Sequence, residues 1–213
     1  MRSTVLLLLF LTPCAAFAAV IDRIAVIVGG AIIKDSDIER DLRVTAFLNN
    51  APLDLGKESR KQAVKRLIDQ IFIRREIRIG DYPAATPEEA MQQLDALKKQ
   101  RFKTNAAFLD ALRRYGLPEA DLRTEFQLQL SVLRFIDARF KPAILVTDEE
   151  IAQYYREHQA ALARAYPGKT ALEDLQEDIR DTVTGEKVNR LFFSWLDEQR
   201  QNVKIQFREA GLG

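Results

Sequence analysis

One helix apolar on two sides constrains this sequence most. Between Pro118 and Phe140, at roughly 100° per residue, Leu122, Phe126, Leu130, Leu133, Ile136 and Phe140 fall on one wide stripe. Leu128 and Phe135 lie seven residues apart on nearly the opposite face. A helix of this kind has neighbours on both sides, so it belongs at the centre of a helical domain. The preceding segment, starting at Thr104, places Ala107, Phe108, Ala111, Leu112 and Tyr115 on one helical face. Gly116 supplies a left-handed residue to end it, Leu117 folds back as the accompanying apolar contact, and Pro118 opens the next helix.

Other helices announce themselves through periodicity and caps. Lys57 to Ile79 carries a main stripe of Val64, Leu67, Ile68, Ile71 and Phe72, with Ile73 and Ile77 on the other face. Thr86-Pro87-Glu88-Glu89 is a capping box with proline in the first turn, leading to Ala90, Met91, Leu94 and Leu97 and an end near Lys99. Thr147-Asp148-Glu149-Glu150 is a second capped start, followed by Ile151, Tyr154, Tyr155 and Leu162. Ser36 with Glu39 reads as a third box, opening a short helix to about Asn50. After a turn at Tyr166-Pro167-Gly168-Lys169, the last helix runs from Leu172 to Asn202, with Val188, Leu191, Phe192, Trp195 and Leu196 as its stripe.

Strand signals occur only near the two ends. Ile24, Val26 and Val28 alternate within a hairpin spanning Ile21 to Ile33, turned at Gly29-Gly30. Val203, Ile205 and Phe207 alternate just after the last helix. An isolated hairpin is marginal in water, so this C-terminal strand is expected to join it. The fold class that follows is mainly α, a helical domain with a small β-ribbon tying N- and C-terminal strands together.

Residues 1–18 read as a cleavable secretory signal peptide. Arg2 gives the positive start, Val5 to Leu11 the apolar core, and Ala16-Phe17-Ala18 the cleavage motif. The run is interrupted by Pro13 and is shorter than the roughly 20 residues that a membrane span requires. Pro13 also argues against a lipid-bearing Cys14, because such a cysteine is normally preceded by a small residue. Cleavage removes the one cysteine, which suits an oxidising compartment. The expected location is the periplasm, with no stable membrane insertion. Two further regions follow: 19–165 as the main helical domain, and 166–213 as a helix and strand that complete it.

The helix with Phe108 and Leu112, the Gly116-Leu117 break, Leu122-Arg123, the Gln-containing long helix and Val146-Thr147-Asp148-Glu149-Glu150-Ile151 together resemble the N-terminal domain of SurA-type periplasmic chaperones. The likeness runs from about Ile21 to Tyr155 and resumes near the C-terminus. It rests on many modest positions and no single diagnostic motif. It implies closure of the domain by the C-terminal helix and strand. It also implies an ATP-independent chaperone that binds unfolded outer-membrane β-barrel proteins or peptides and works beside the outer-membrane assembly machinery. In relatives of this architecture a parvulin-type prolyl isomerase domain follows the Thr-Asp-Glu-Glu-Ile helix. Here the turn at Tyr166 leads straight into the last helix, so that domain is expected to be missing.

Chemistry finds little support. Gly29-Gly30 lacks the pattern of a phosphate loop. His158 is the sole histidine and has no serine or cysteine motif beside it. Asp148, Glu149 and Glu150 suit a helix N-terminus better than a metal. No catalytic residue, metal or cofactor is therefore assigned, and the protein is read as a non-enzyme. With a formal charge of +1 and acids and bases interspersed, the chain is read as not binding nucleic acid.

Binding is what remains. A groove for unfolded chains needs apolar residues left off the core stripes: Phe193 on the last helix, Leu128 and Phe135 on the central one, Ile73 and Ile77 on the second. Two alternatives share these features, a protein related to the prolyl isomerases and a non-catalytic subunit that binds one folded partner of an envelope complex.

Overall fold

A computed structural model describes residues 22–169, 171–208 and 212. The signal-peptide assignment over residues 1–18 and the start of the hairpin at Ile21 lie outside these residues. The described residues form strands β1 (Ile24–Val28), β2 (Ala31–Lys34) and β3 (Ile205–Phe207). They also form helices α1 (Asp35–Leu48), α2 (Lys57–Ile79), α3 (Pro87–Arg101), α4 (Asn105–Tyr115), α5 (Glu119–Arg139), α6 (Asp148–Ala165) and α7 (Leu172–Asn202). The protein is mainly α with a three-stranded antiparallel sheet, as the sequence led one to expect.

The sheet order is β2-β1-β3, so the C-terminal strand does pair with the hairpin. Val26 faces Phe207, Ile27 faces Gln206 and Val28 faces Ile205. Gly29 and Gly30 turn the hairpin with φ of 54° and 95°, a conformation that side chains disfavour. Gly29 is constrained twice over, because a Cβ there would lie 2.8 Å from Val203 Cγ1. Its amide also donates to the Lys204 carbonyl at 3.1 Å, which draws the last strand across the turn.

Three hydrophobic clusters organise the helices. The first joins the sheet to α1, α2, α5 and α7 through Val26, Ile38, Phe72, Phe135, Trp195 and Leu196. A second gathers Phe47, Leu94, Phe108, Leu112, Leu117 and Leu122 from α1, α3, α4 and the start of α5. The third pairs α6 with the first half of α7 through Ile151, Leu162, Leu175, Ile179 and Val183. Residues 166–171 are the whole connection between these two helices. At about 1.5 Å per residue, the 31 residues of α7 extend roughly 46 Å, enough to serve the first and third clusters in turn. Arg180 clasps α6 to α7 by donating to the Val146 carbonyl at 3.1 Å and to Asp148 at 3.2 Å.

Local signals placed several elements well. α2 spans the expected residues, Thr86 and Thr147 cap their helices with reciprocal Glu89 and Glu150 bonds, and Gly116 ends α4 at φ 59°. Pro118 is the residue before α5, not part of its first turn. The box at Ser36 does not form: Lys34, two residues earlier, is the N-cap, and its amide donates to Asp37 at 3.0 Å. Ser36 instead donates its hydroxyl to Asp22 at 2.6 Å, tying the helix to the chain ahead of β1.

The largest correction concerns α5. Leu122 is buried in the second cluster, but in the C-terminal half Leu128 and Phe135 are buried while Leu133 is 60% exposed. On a helical wheel Leu122 and Phe135 lie about 140° apart. α5 thus inserts Leu122 into the second cluster and, about three and a half turns later, Phe135 from a well-separated face into the first. It is packed on two sides, but at different points along its length. Met91 of α3 and Leu191 of α7, placed on core stripes from the sequence, are likewise exposed.

Candidate peptide-binding groove

The groove forms where α2, α5 and α7 meet. α7 turns Phe192 and Leu196 inward, α2 contributes Ile73 and α5 contributes Leu128, all buried. Above this floor the helices do not close. Leu133 on α5 and Phe193 on α7 flank the opening and are 60% and 58% exposed. They bound an open groove of about 460 Å³ whose wall is completed by Val132. Phe193 rests its ring against Phe192 with centroids 5.5 Å apart, so an exposed aromatic is buttressed by a buried one.

A polar rim follows the apolar floor. Arg66, Asp69 and Gln70 come from α2, and Glu125 and Gln129 from α5. Asp69 accepts from Arg200 of α7 at 2.9 and 2.6 Å, holding the two walls at a fixed spacing. Arg66 donates to Asp41 of α1, one bond measuring 3.1 Å. Burial pushes the Asp41 carboxyl up, against the pull of Arg66. Glu125 accepts from the Gln129 amide at 2.8 Å. Burial also pushes Glu125 up, offset by that bond and reinforced by the nearby Asp41 charge. The carboxamide of Gln70 has no partner among the described residues. Carboxamides both donate and accept, which is what an extended backbone lying in the groove requires.

Of the residues singled out from the sequence, Phe193, Leu128 and Ile73 line this groove together. Phe135 is fully buried beneath it, edge-on to Tyr82 at 5.1 Å and to Trp195 at 5.4 Å. Ile77 is half-buried against the same cluster. Leu133, Val132, Phe192 and Leu196 were assigned to core stripes or left unremarked, yet they form much of the lining. Leu133 could have been found only by noticing that Ser131 and Gln127 mark a buried side of α5. Ser131 Oγ accepts from the Ala85 amide at 2.9 Å and donates to the Gln127 carbonyl at 2.7 Å.

His158 packs against its own helix. Its Nδ1 lies 2.9 Å from the Tyr154 carbonyl and its ring stacks on Tyr154 at 4.0 Å. Among the described residues no three His, Cys, Asp or Glu side chains are grouped to hold a metal ion. Nor is any described helix long and apolar enough to cross a membrane.

With this geometry in view, one relative is informative. Over 142 residues the chain is 28% identical to the chaperone SurA of Pseudomonas aeruginosa, an alignment covering 63% of this chain and 33% of that protein. The chain thus spans about a third of the length of the curated relative it matches. No family model matches it. The likeness to SurA is partial and of low identity, and it supports a SurA-like, chaperone-like character.

Proposed function

We propose that this protein is an ATP-independent periplasmic holdase that binds unfolded outer-membrane β-barrel proteins and shields them until they are passed to the assembly machinery. The observation that carries this reading is the open groove between α2, α5 and α7, with Leu133 and Phe193 exposed over an apolar floor and carboxamides on its rim. The groove suits an extended segment: its apolar side chains enter between the two lips, and its backbone meets Gln70 and Gln129. The partial likeness to SurA supports a protein client. Affinity on the order of micromolar suits a holder that must release its cargo. The work is binding alone, so the chain is expected not to accelerate isomerisation of a proline-containing tetrapeptide.

Trp195 supplies the assay. It is the only tryptophan and packs 6.1 Å from Phe192 of the groove floor, so its emission responds to occupancy. Titration with a tryptophan-free unfolded barrel protein should give saturable emission changes and, in parallel, suppressed client aggregation. An absence of both would overturn the holdase reading and leave a dedicated folded partner as the occupant.

A further inference from the structure

The second cluster carries a surface unlike the groove. Residues 98–114 include six cations (Lys98, Lys99, Arg101, Lys103, Arg113 and Arg114) against the single carboxylate of Asp110. The whole sequence has a formal charge of only +1, so positive charge is concentrated here. Two of the six are neutralised: Lys98 by Glu119 at 3.0 Å, and Arg113 by Asp110. Lys99, Lys103 and Arg114 are exposed and have no acidic partner among the described residues. Arg101 has none either. It is pinned by donating to the Phe47 and Leu48 carbonyls at 3.1 and 3.0 Å, with its guanidinium over the Phe47 and Phe102 rings.

Of these cations Arg101 and Arg114 stand at a concave feature, while Lys99 and Lys103 line an adjoining depression that also holds Asp95 and shares Phe102 with it. Phe47, Phe102, Tyr115 and Leu53 line a cleft of about 460 Å³, and Arg101 and Arg114 stand in its wall. None of its lining residues belongs to the groove. A flat anionic surface would need only mobile lysines. An aromatic-walled cleft flanked by the exposed guanidinium of Arg114, with the charge of the pinned Arg101 beside it, fits a side chain together with neighbouring carboxylates, because arginine pairs with carboxylates through two parallel bonds. We propose that this face of α3 and α4 is a second binding site, one that docks an acidic segment of a partner polypeptide with an apolar side chain in the cleft.

The test uses the full mature chain and a short fluorescent peptide in which Asp and Glu surround a single Phe. Its controls are the same peptide with Asn and Gln, and phosphatidylglycerol–phosphatidylcholine vesicles. The acidic peptide should bind, and its affinity should fall about tenfold or more between roughly 50 and 200 mM salt. Combined Lys99→Glu, Lys103→Glu and Arg114→Glu should abolish binding, whereas Phe193→Ala should leave it unchanged. If the charge-reversed variant loses its native circular dichroism, the triple alanine variant replaces it, and a loss of about tenfold is expected. Equal binding of the acidic and amide peptides, or undiminished binding by the folded variant, overturns the proposal. So does charge-dependent capture of vesicles without capture of peptide, which would make the patch a lipid surface.

Discussion

Helix α5 enters two cores, and the surfaces over those cores differ in chemistry. Over the first core, apolar side chains are left outside and the charges at the groove are matched: Arg66 with Asp41, Asp69 with Arg200. Over the second, the aromatic rings are drawn inward, and Lys99, Lys103 and Arg114 are left on the surface with no acidic partner among the described residues. Phe47, Phe102 and Phe108 contact one another with centroids 5.4–6.2 Å apart, under Arg101 and Lys98. Cation–ring contact accounts for this arrangement, because a guanidinium or ammonium group stabilises a ring face while keeping its own exposure to water. One chain of nearly zero net charge therefore offers an apolar groove along the middle of α5 and, over the second core, a cationic cleft to which α5 contributes no lining residue. Net charge described neither.

The harshest way to break this comparison is to hollow one core and ask whether the other follows. Phe135→Ala removes a fully buried ring packed on Tyr82, Phe140 and Trp195, and should cost about 3–5 kcal/mol of unfolding free energy. Leu94→Ala in the second core should cost about 2–5 kcal/mol. If α5 couples the cores, urea unfolding followed by Trp195 fluorescence and by circular dichroism remains a single coincident transition in both variants. Separated transitions after Leu94→Ala would mean that the two lobes are independent folding units.

Gly29→Ala is a milder challenge to the first core, through its sheet. The substitution forces a Cβ onto positive φ and against Val203, so a loss of about 1–2 kcal/mol is expected in the same unfolding assay. An unchanged midpoint would mean that β3 can shift away from the turn without loss. At the groove the expectation reverses, with stability spared and binding affected. Phe193→Ala should change unfolding by less than about 0.5 kcal/mol but weaken client binding by about 1–2 kcal/mol, read from the Trp195 titration. Retained affinity would remove Phe193 from the site.

How much of this was legible depended on how local each determinant is. The caps at Thr86 and Thr147, the glycine turn, the helix break at Gly116 and the pairing of terminal strands follow from a few adjacent residues or from simple alternation, and these were readable. The box expected at Ser36 was not, because Lys34 takes the N-cap. The division of α5 between two cores was not. Most of its apolar residues fit one wide stripe, with Leu128 and Phe135 nearly opposite, and it takes distant sequence, the Ala85 backbone bonded by Ser131 and Gln127, to mark that opposite face as a buried one. Phe135 was therefore read as free for binding and Leu133 as core, whereas the structure places Leu133 at the groove and Phe135 beneath it. The cationic patch was present in the sequence from Lys98 to Arg114. It was hidden by treating acids and bases as interspersed along the whole chain.

The subtlest expected effect concerns the acidic rim of the groove. Glu125 faces Asp41 from α1, Arg66 and Arg74 from α2, and Gln129 on its own helix, and burial is the main influence on it, raising its pKa. In the folded protein it therefore holds a proton more tightly than in the unfolded chain. Between the ordinary glutamate value and the raised one, the folded state binds more protons, so stability falls as pH rises through that window. Above the window the full cost of the buried charge is present; below the unfolded value it vanishes. Glu125→Gln keeps the shape and the contact with Gln129 but removes the charge. It should raise the thermal midpoint at pH 7, with the gain over the parent shrinking as pH falls towards the ordinary carboxylate range. Asp41 is raised by burial in both proteins, so its contribution largely cancels in the difference. A gain that stays constant with pH would attribute the effect to packing, and a loss at pH 7 would show that Arg66 and Arg74 stabilise the carboxylate more than burial destabilises it.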